Sequence, residues 1–156
     1  MVKYAKQGRY DDAVQAGLRS LQNLPSDERI YQQIADVYLI RARKEPGHRE
    51  EWVTSAVFYT DKALATSPED KDAAGVHRFQ YARSFEMAGD LSTVERCNHY
   101  ERAVKLLEDR IPLLQGEQLA LKGRTFPLAP LRRENEKVLA EIREKAGKAG
   151  CKSNLP

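Results

Sequence analysis

The chain has 156 residues, of which 41% are hydrophobic and 31% charged, with a formal net charge of +3. That suits a single soluble globular domain with a buried core. It excludes a helical membrane span, since no apolar run approaches ~18 residues, and no charged start followed by an apolar stretch reads as a signal peptide. The chain is therefore expected to be cytoplasmic.

In chain order, the apolar residues recur at helical period over about 1–7, 11–24, 27–44, 49–66, 70–88, 91–110 and 130–146. Breaks are expected at Gly8, at Pro25, at Pro46 with Gly47, at Pro68, at Gly89 with Asp90, and at Pro112. Asp11, Ser26 or Asp27, and Ser67 with Asp70 stand where a helix start needs an acceptor for its free N–H groups. No stretch alternates at period two, so no strand is expected. In 27–44, Ile30, Ile34, Val37 and Tyr38 form one stripe, with Arg29, Gln32, Gln33 and Asp36 off it. Such a helix cannot bury its stripe alone. Short turns make consecutive helices antiparallel, and stacked pairs would make a solenoid held together by nearest neighbours.

The spacing of small and aromatic residues resembles that of the tetratricopeptide repeat family, W-x2-L-G-x2-Y, then A-x3-F, then Pro. Tyr4, Gly8, Tyr10, Ala13 and Pro25 fit the latter part of a first repeat. Tyr31, Ile34, Ala35 and Tyr38, then Ala56, Thr60, Ala63 and Pro68, fit a second. Tyr81, Ala82, Phe85, Gly89 and Leu91 fit the first helix of a looser third repeat, with Arg78 where the family prefers Trp. The resemblance implies an all-α fold of about three helix pairs at 1–25, 26–68 and 69–112, within a repeat domain at 1–112. Nine residues more than the pattern expects lie between Tyr38 and Val53. They should lengthen both flanking helices by a little over one turn and form a protruding hairpin tipped by Pro46 and Gly47. Beyond it, 113–146 is read as a packed connector rich in Leu and Phe followed by a capping helix, with Leu131, Val138 and Ile142 on one side. Residues 147–156 read as a frayed tail.

The resemblance also implies a function, protein–protein interaction through a concave groove lined by the first helix of each pair. Carried onto this chain, the partner-binding positions are Arg29, Gln32, Asp36, Leu39 and Ile40, then Val76, Phe79, Arg83, Glu86 and Met87. Val2 and Lys6 would begin the groove. Both charge signs line it, so the ligand should be a protein or peptide segment, extended or helical, without strong charge of one sign. Family members that clamp an acidic C-terminal tail use basic residues and Asn where this chain has Gln32 and Asp36, so no such clamp is expected. Phe79 lies off the packing edge as a hot-spot candidate, unless the final helix or the connector covers it. Trp52 is either a partner anchor or, as is more usual, a side chain that fastens the turn before it.

No residues assemble into a catalytic, cofactor or metal pattern. His48, His77 and His99 are isolated, and Cys97 and His99, two apart, point to different sides of a helix. Cys97 is read as a small core residue and Cys151 as part of a polar tail, both reduced thiols. Residues 122–152 hold nine Lys or Arg against four Glu, a local charge of +5 that leaves −2 for the rest. Nucleic acid or an acidic partner is one reading of that end. Pairing of Glu134 with Lys137 and of Glu141 with Lys145 on a solvated helix face is the simpler one. A homodimer through the incomplete first repeat is a further alternative.

Overall fold

A computed structural model describes residues 1–67, 76–121 and 123–152. Seven α-helices occur among them: α1 Val2–Lys6, α2 Tyr10–Asn23, α3 Glu28–Lys44, α4 Arg49–Thr66, α5 Val76–Leu91, α6 Arg96–Arg110 and α7 Leu128–Lys148. The fold is all-α apart from one short antiparallel hairpin, β1 Gln118–Leu121 and β2 Arg124–Pro127, which corrects the expectation of no strands. Gly123, next to the start of β2, takes φ +73°, a conformation that favours glycine.

The start of α3 is capped by a side chain, whereas α1, α2, α4, α6 and α7 begin without one. Asp27, not Ser26, caps α3: its carboxylate accepts the Arg29 backbone N–H at 3.0 Å. Asp11 is no cap, because α2 already begins at Tyr10; it accepts instead from the Arg41 guanidinium at 2.8 Å. The expected capping pair of Ser67 and Asp70 falls partly outside the described residues, as do Pro68 and the start of the helix expected from 70. Gly89 and Asp90 do not end α5, which runs through them to Leu91. A Cβ at Gly89 would lie 2.6 Å from the Tyr100 ring, so this glycine lets α6 approach closely.

The core is divided along the chain. Ala5, Ala13, Val14, Ile30, Ile34 and Val37 join α1, α2 and α3. Leu39, Ala42, Val53, Ala56 and Ala88 join α3, α4 and α5. Phe85, Tyr100, Val104, Leu107, Val138, Leu139 and Ile142 join α5, α6 and α7. Alanines at the closest approaches, among them Ala13, Ala35, Ala42, Ala63, Ala82 and Ala103, are fully buried.

The extended hairpin of α3 and α4 turns through a 3-10 segment, Pro46–His48, but it does not stand free. Glu50 at its tip accepts hydrogen bonds from Ser92 Oγ at 2.8 Å, Thr93 N at 2.6 Å and Thr93 Oγ1 at 3.0 Å, so the turn between α5 and α6 is tied to it. Burial opposes the Glu50 charge, yet these hydrogen bonds hold its carboxyl below the ordinary glutamate value. Trp52 fastens the same turn. Its Nε1 donates to Glu45 Oε2 at 3.1 Å, its ring stacks on Tyr38, and the Arg41 guanidinium sits 3.8 Å from its centroid.

Three expectations about the C-terminal third change. The connector packs only in part: Leu114 and Leu128 are buried, while Leu113 is 60% and Phe126 43% exposed. The last helix runs into the supposed tail, with α7 continuing to Lys148. The two cysteines are not free thiols, and Cys97 is not a core residue: it is exposed and joined to Cys151 in a disulfide that closes α6 onto the end of α7.

Candidate functional site

The helices α1, α3 and α5 lie side by side, and two hollows run between them. The larger, about 720 Å³, separates α3 from α5. Its α3 wall carries Arg29, Gln33, Asp36, Ile40 and Arg43, a stripe at intervals of three and four residues that repeats every helical turn. The facing wall carries His77, Phe79, Arg83, Ser84 and Met87 from α5. From Arg29 to Arg43 the stripe is about 21 Å long at 1.5 Å per residue, which accommodates about six residues of extended chain.

Three contacts fix the width of this groove. At one end His77 Nδ1 lies 3.3 Å from Glu28 Oε1. In the middle Gln32 Nε2 donates to Ser84 Oγ at 2.7 Å and to Asp36 Oδ1 at 2.9 Å. At the other end Arg43 Nη2 donates to Met87 Sδ at 3.4 Å. The walls are thus cross-linked by the chain's own side chains, so binding there would cost little in ordering them.

The smaller hollow, about 290 Å³, lies between α1 and α3 and is almost wholly apolar. Met1, Val2, Ala5, Tyr10, Val37 and Ile40 line it, with Lys6 and Lys44 at the rim. Gln33, Asp36 and Ile40 face both hollows and form the ridge between them. Ile40 is 42% exposed on that ridge. Asp36 stands beside it among the groove walls. Desolvation there raises its carboxyl above the ordinary aspartate value, against the opposing Gln32 hydrogen bond.

Eight of the ten expected binding residues line the larger groove: Arg29, Gln32, Asp36, Leu39, Ile40, Phe79, Arg83 and Met87. Their accessibility differs. Leu39 and Gln32 are buried and form floor, whereas Phe79 is half-covered, packed on the cluster beneath it with the Arg110 guanidinium 5.2 Å from its ring centroid. Glu86 is a correction. It is 4% exposed and turns away from the groove to accept from Lys145 Nζ of α7 at 2.6 Å, while also pairing with Arg83. The side chain of Val76 falls outside the described residues. Gln33, Arg43, Lys44 and His77 were not anticipated. The first two continue the Arg29, Asp36, Ile40 stripe at helical spacing, a signal legible once that stripe was chosen as the groove face.

The basic C-terminal end is largely engaged within the fold. Lys145 reaches Glu86 and Asp90 on α5 rather than Glu141, Arg143 pairs with Glu108 on α6, and Lys137 and Lys148 pair along α7 with Glu141 and Glu144. His99 is buried, and its burial lowers the imidazole below the ordinary histidine value. Among the described residues no group of three His, Cys, Asp or Glu is arranged to hold a metal ion. Among the described residues no helix is long and apolar enough to cross a membrane.

Comparison with protein-family models, curated proteins and solved structures finds no match to this chain.

Proposed function

We propose that this chain is a tetratricopeptide-like stack of helix pairs that binds an extended segment of a partner protein in the groove between α3 and α5. An apolar side chain of that segment would reach across the Ile40 ridge into the hollow between α1 and α3. The observation that carries the reading is the cross-linked groove itself: about 720 Å³, walled by α3 and α5, with an exposed apolar residue, Ile40, on the ridge it shares with the smaller hollow. Preformed concave surfaces with apolar floors and a few placed polar groups are the usual form of recognition sites. Leu39, Phe79 and Met87 supply apolar surface, and Arg29, Arg43, Arg83 and Asp36 set the charge preference. The module carries no reaction of its own in this reading.

The alternatives rest on less. Self-association through α1 has in its favour only the 61% exposure of Val2. Nucleic-acid binding through 122–152 must contend with the ion pairs that already occupy Lys137, Arg143, Lys145 and Lys148.

A peptide library displayed on phage and selected against the full chain tests the proposal. Recovered peptides should bind wild type and lose at least tenfold in affinity to Ile40→Glu, with the circular dichroism of the variant unchanged. Arg43→Ala should cost less, because a rim charge adds less than an apolar contact that the ligand buries. Selected peptides that bind wild type and Ile40→Glu alike would reject the groove as the site.

A further inference from the structure

The end of α7 is held differently from its middle. Val138, Leu139 and Ile142 are buried in the cluster formed with α5 and α6. Beyond Ile142 the only buried apolar residue of the helix is Ala146. Arg143 and Lys145 reach α6 and α5 through ion pairs, and both side chains are about two-fifths exposed, 41% and 39%. The Arg143–Glu108 pair, partly exposed on both sides, adds little against fraying, whereas Lys145 is anchored at the buried Glu86 carboxylate. The disulfide is the one covalent tie over these turns.

Local backbone structure delivers Cys151 to it. Gly150 takes φ +74°, its N–H donates to Gly147 O at 3.1 Å, and the Cys151 N–H donates to Ala146 O at 3.0 Å. This pair of bonds is the glycine-dependent turn that ends many helices and folds the chain back across the last turn. It carries Cys151 to Cys97, the second residue of α6. Cys97 is the exposed partner, open to attack by an external thiolate. Its place at a helix start, where free N–H groups favour negative charge, stabilises the thiolate that reduction would release.

We propose that the Cys97–Cys151 disulfide is a redox clasp on the last turns of α7. While the bond is intact, residues 143–151 are held over α5 and α6; its reduction frees them and uncovers Glu86. The reaction is thiol–disulfide exchange with an external dithiol. One thiolate of the dithiol attacks a sulfur of the pair, the S–S bond breaks, and the second thiol resolves the mixed disulfide. The dithiol leaves as its own disulfide, and Cys97 and Cys151 take up the two electrons and two protons as thiols. The middle of α7 stays docked on its apolar seam. Freed Lys145 no longer neutralises Glu86, whose other partner, Arg83, lines the groove wall.

Hydrogen exchange read by mass spectrometry on the full chain tests this, comparing air-oxidised protein with the same protein reduced by dithiothreitol. Reduction should speed exchange at least tenfold in peptides covering 143–151 and leave those covering 10–44 unchanged. The oxidised sample should resist alkylation at both cysteines. A Cys97→Ser, Cys151→Ser double variant should show the reduced pattern with or without reductant; if it does not fold, the reduced wild type carries the comparison. Three results would overturn the proposal. They are free thiols in the air-equilibrated protein, equal exchange in both redox states, or a loss of protection that extends through 10–44 and marks a staple of the whole fold.

Discussion

Gly89 and Tyr100 show how a single side chain sets the spacing of two helices. Alanine at position 89 would gain up to about 1 kcal/mol in helix propensity. It would also place a methyl group 2.6 Å from a ring that cannot retreat, because the Tyr100 hydroxyl donates to Asp90 Oδ1 at 2.8 Å. Overpacking costs about 1–3 kcal/mol, so Gly89→Ala should destabilise by about 1 kcal/mol net in a urea melt. Tyr100 also titrates unusually. Burial, then the hydrogen bond and charge of Asp90, push its phenol up from 10.0 to about 12. The folded value lies above the unfolded one, so this contribution is complete below pH 10 and is lost as pH rises from 10 to 12. It is on the order of 2 kcal/mol. Lys145 works in the same direction: burial opposes its charge, but Asp90 and Glu86 hold it above the ordinary lysine value, so its contribution is present below that value and is lost as pH rises above it. A stability profile from pH 9 to 12 should therefore fall steeply, and Tyr100→Phe should flatten it.

At the scale of elements, α3 and α4 make a long helical pair of 17 and 18 residues. The far ends of these helices and the turn between them must be held somewhere. Polar and aromatic contacts hold them: Trp52 closes the turn through Glu45, Tyr38 and Arg41, and Glu50 gathers the next turn through Ser92 and Thr93. Those contacts carry the α5 and α6 pair up beside that end. The same length gives α3 the stripe from Arg29 to Arg43, and so the full groove.

For the whole molecule, the division of the core into three clusters along the chain makes stability a matter of neighbouring helices. Truncating a fully buried side chain in the last cluster should be felt there first. Ile142→Ala is expected to cost about 2–5 kcal/mol. It should also accelerate hydrogen exchange in α6 and α7 well before α2 and α3 are affected. Equal acceleration across all helices would instead indicate one indivisible core.

Much of this architecture was legible along the chain, and the failures have a common cause. The helices over 10–44 and 49–66, the Asp27 cap and the groove stripe on α3 follow from backbone and side-chain preferences between residues no more than about four positions apart. Those preferences repeat at 3.6 residues, and they write the all-α character and the exposed face directly into the order of residues. The short hairpin at 118–127 offered only the alternation of Leu119 and Leu121 before Gly123. Gly89 read as a break because its partner, the Tyr100 ring, belongs to another helix. Glu86 read as a groove residue because Lys145, which buries it, lies 59 positions away. Cys97 and Cys151, separated by 54 residues, read as free thiols for the same reason. Local periodicity by itself determined most of the helical segments and that Arg29, Asp36 and Ile40 share an exposed face of α3. Only tertiary packing, which brings distant side chains within bonding distance, decided how α7 is fastened and which charges it removes from the surface.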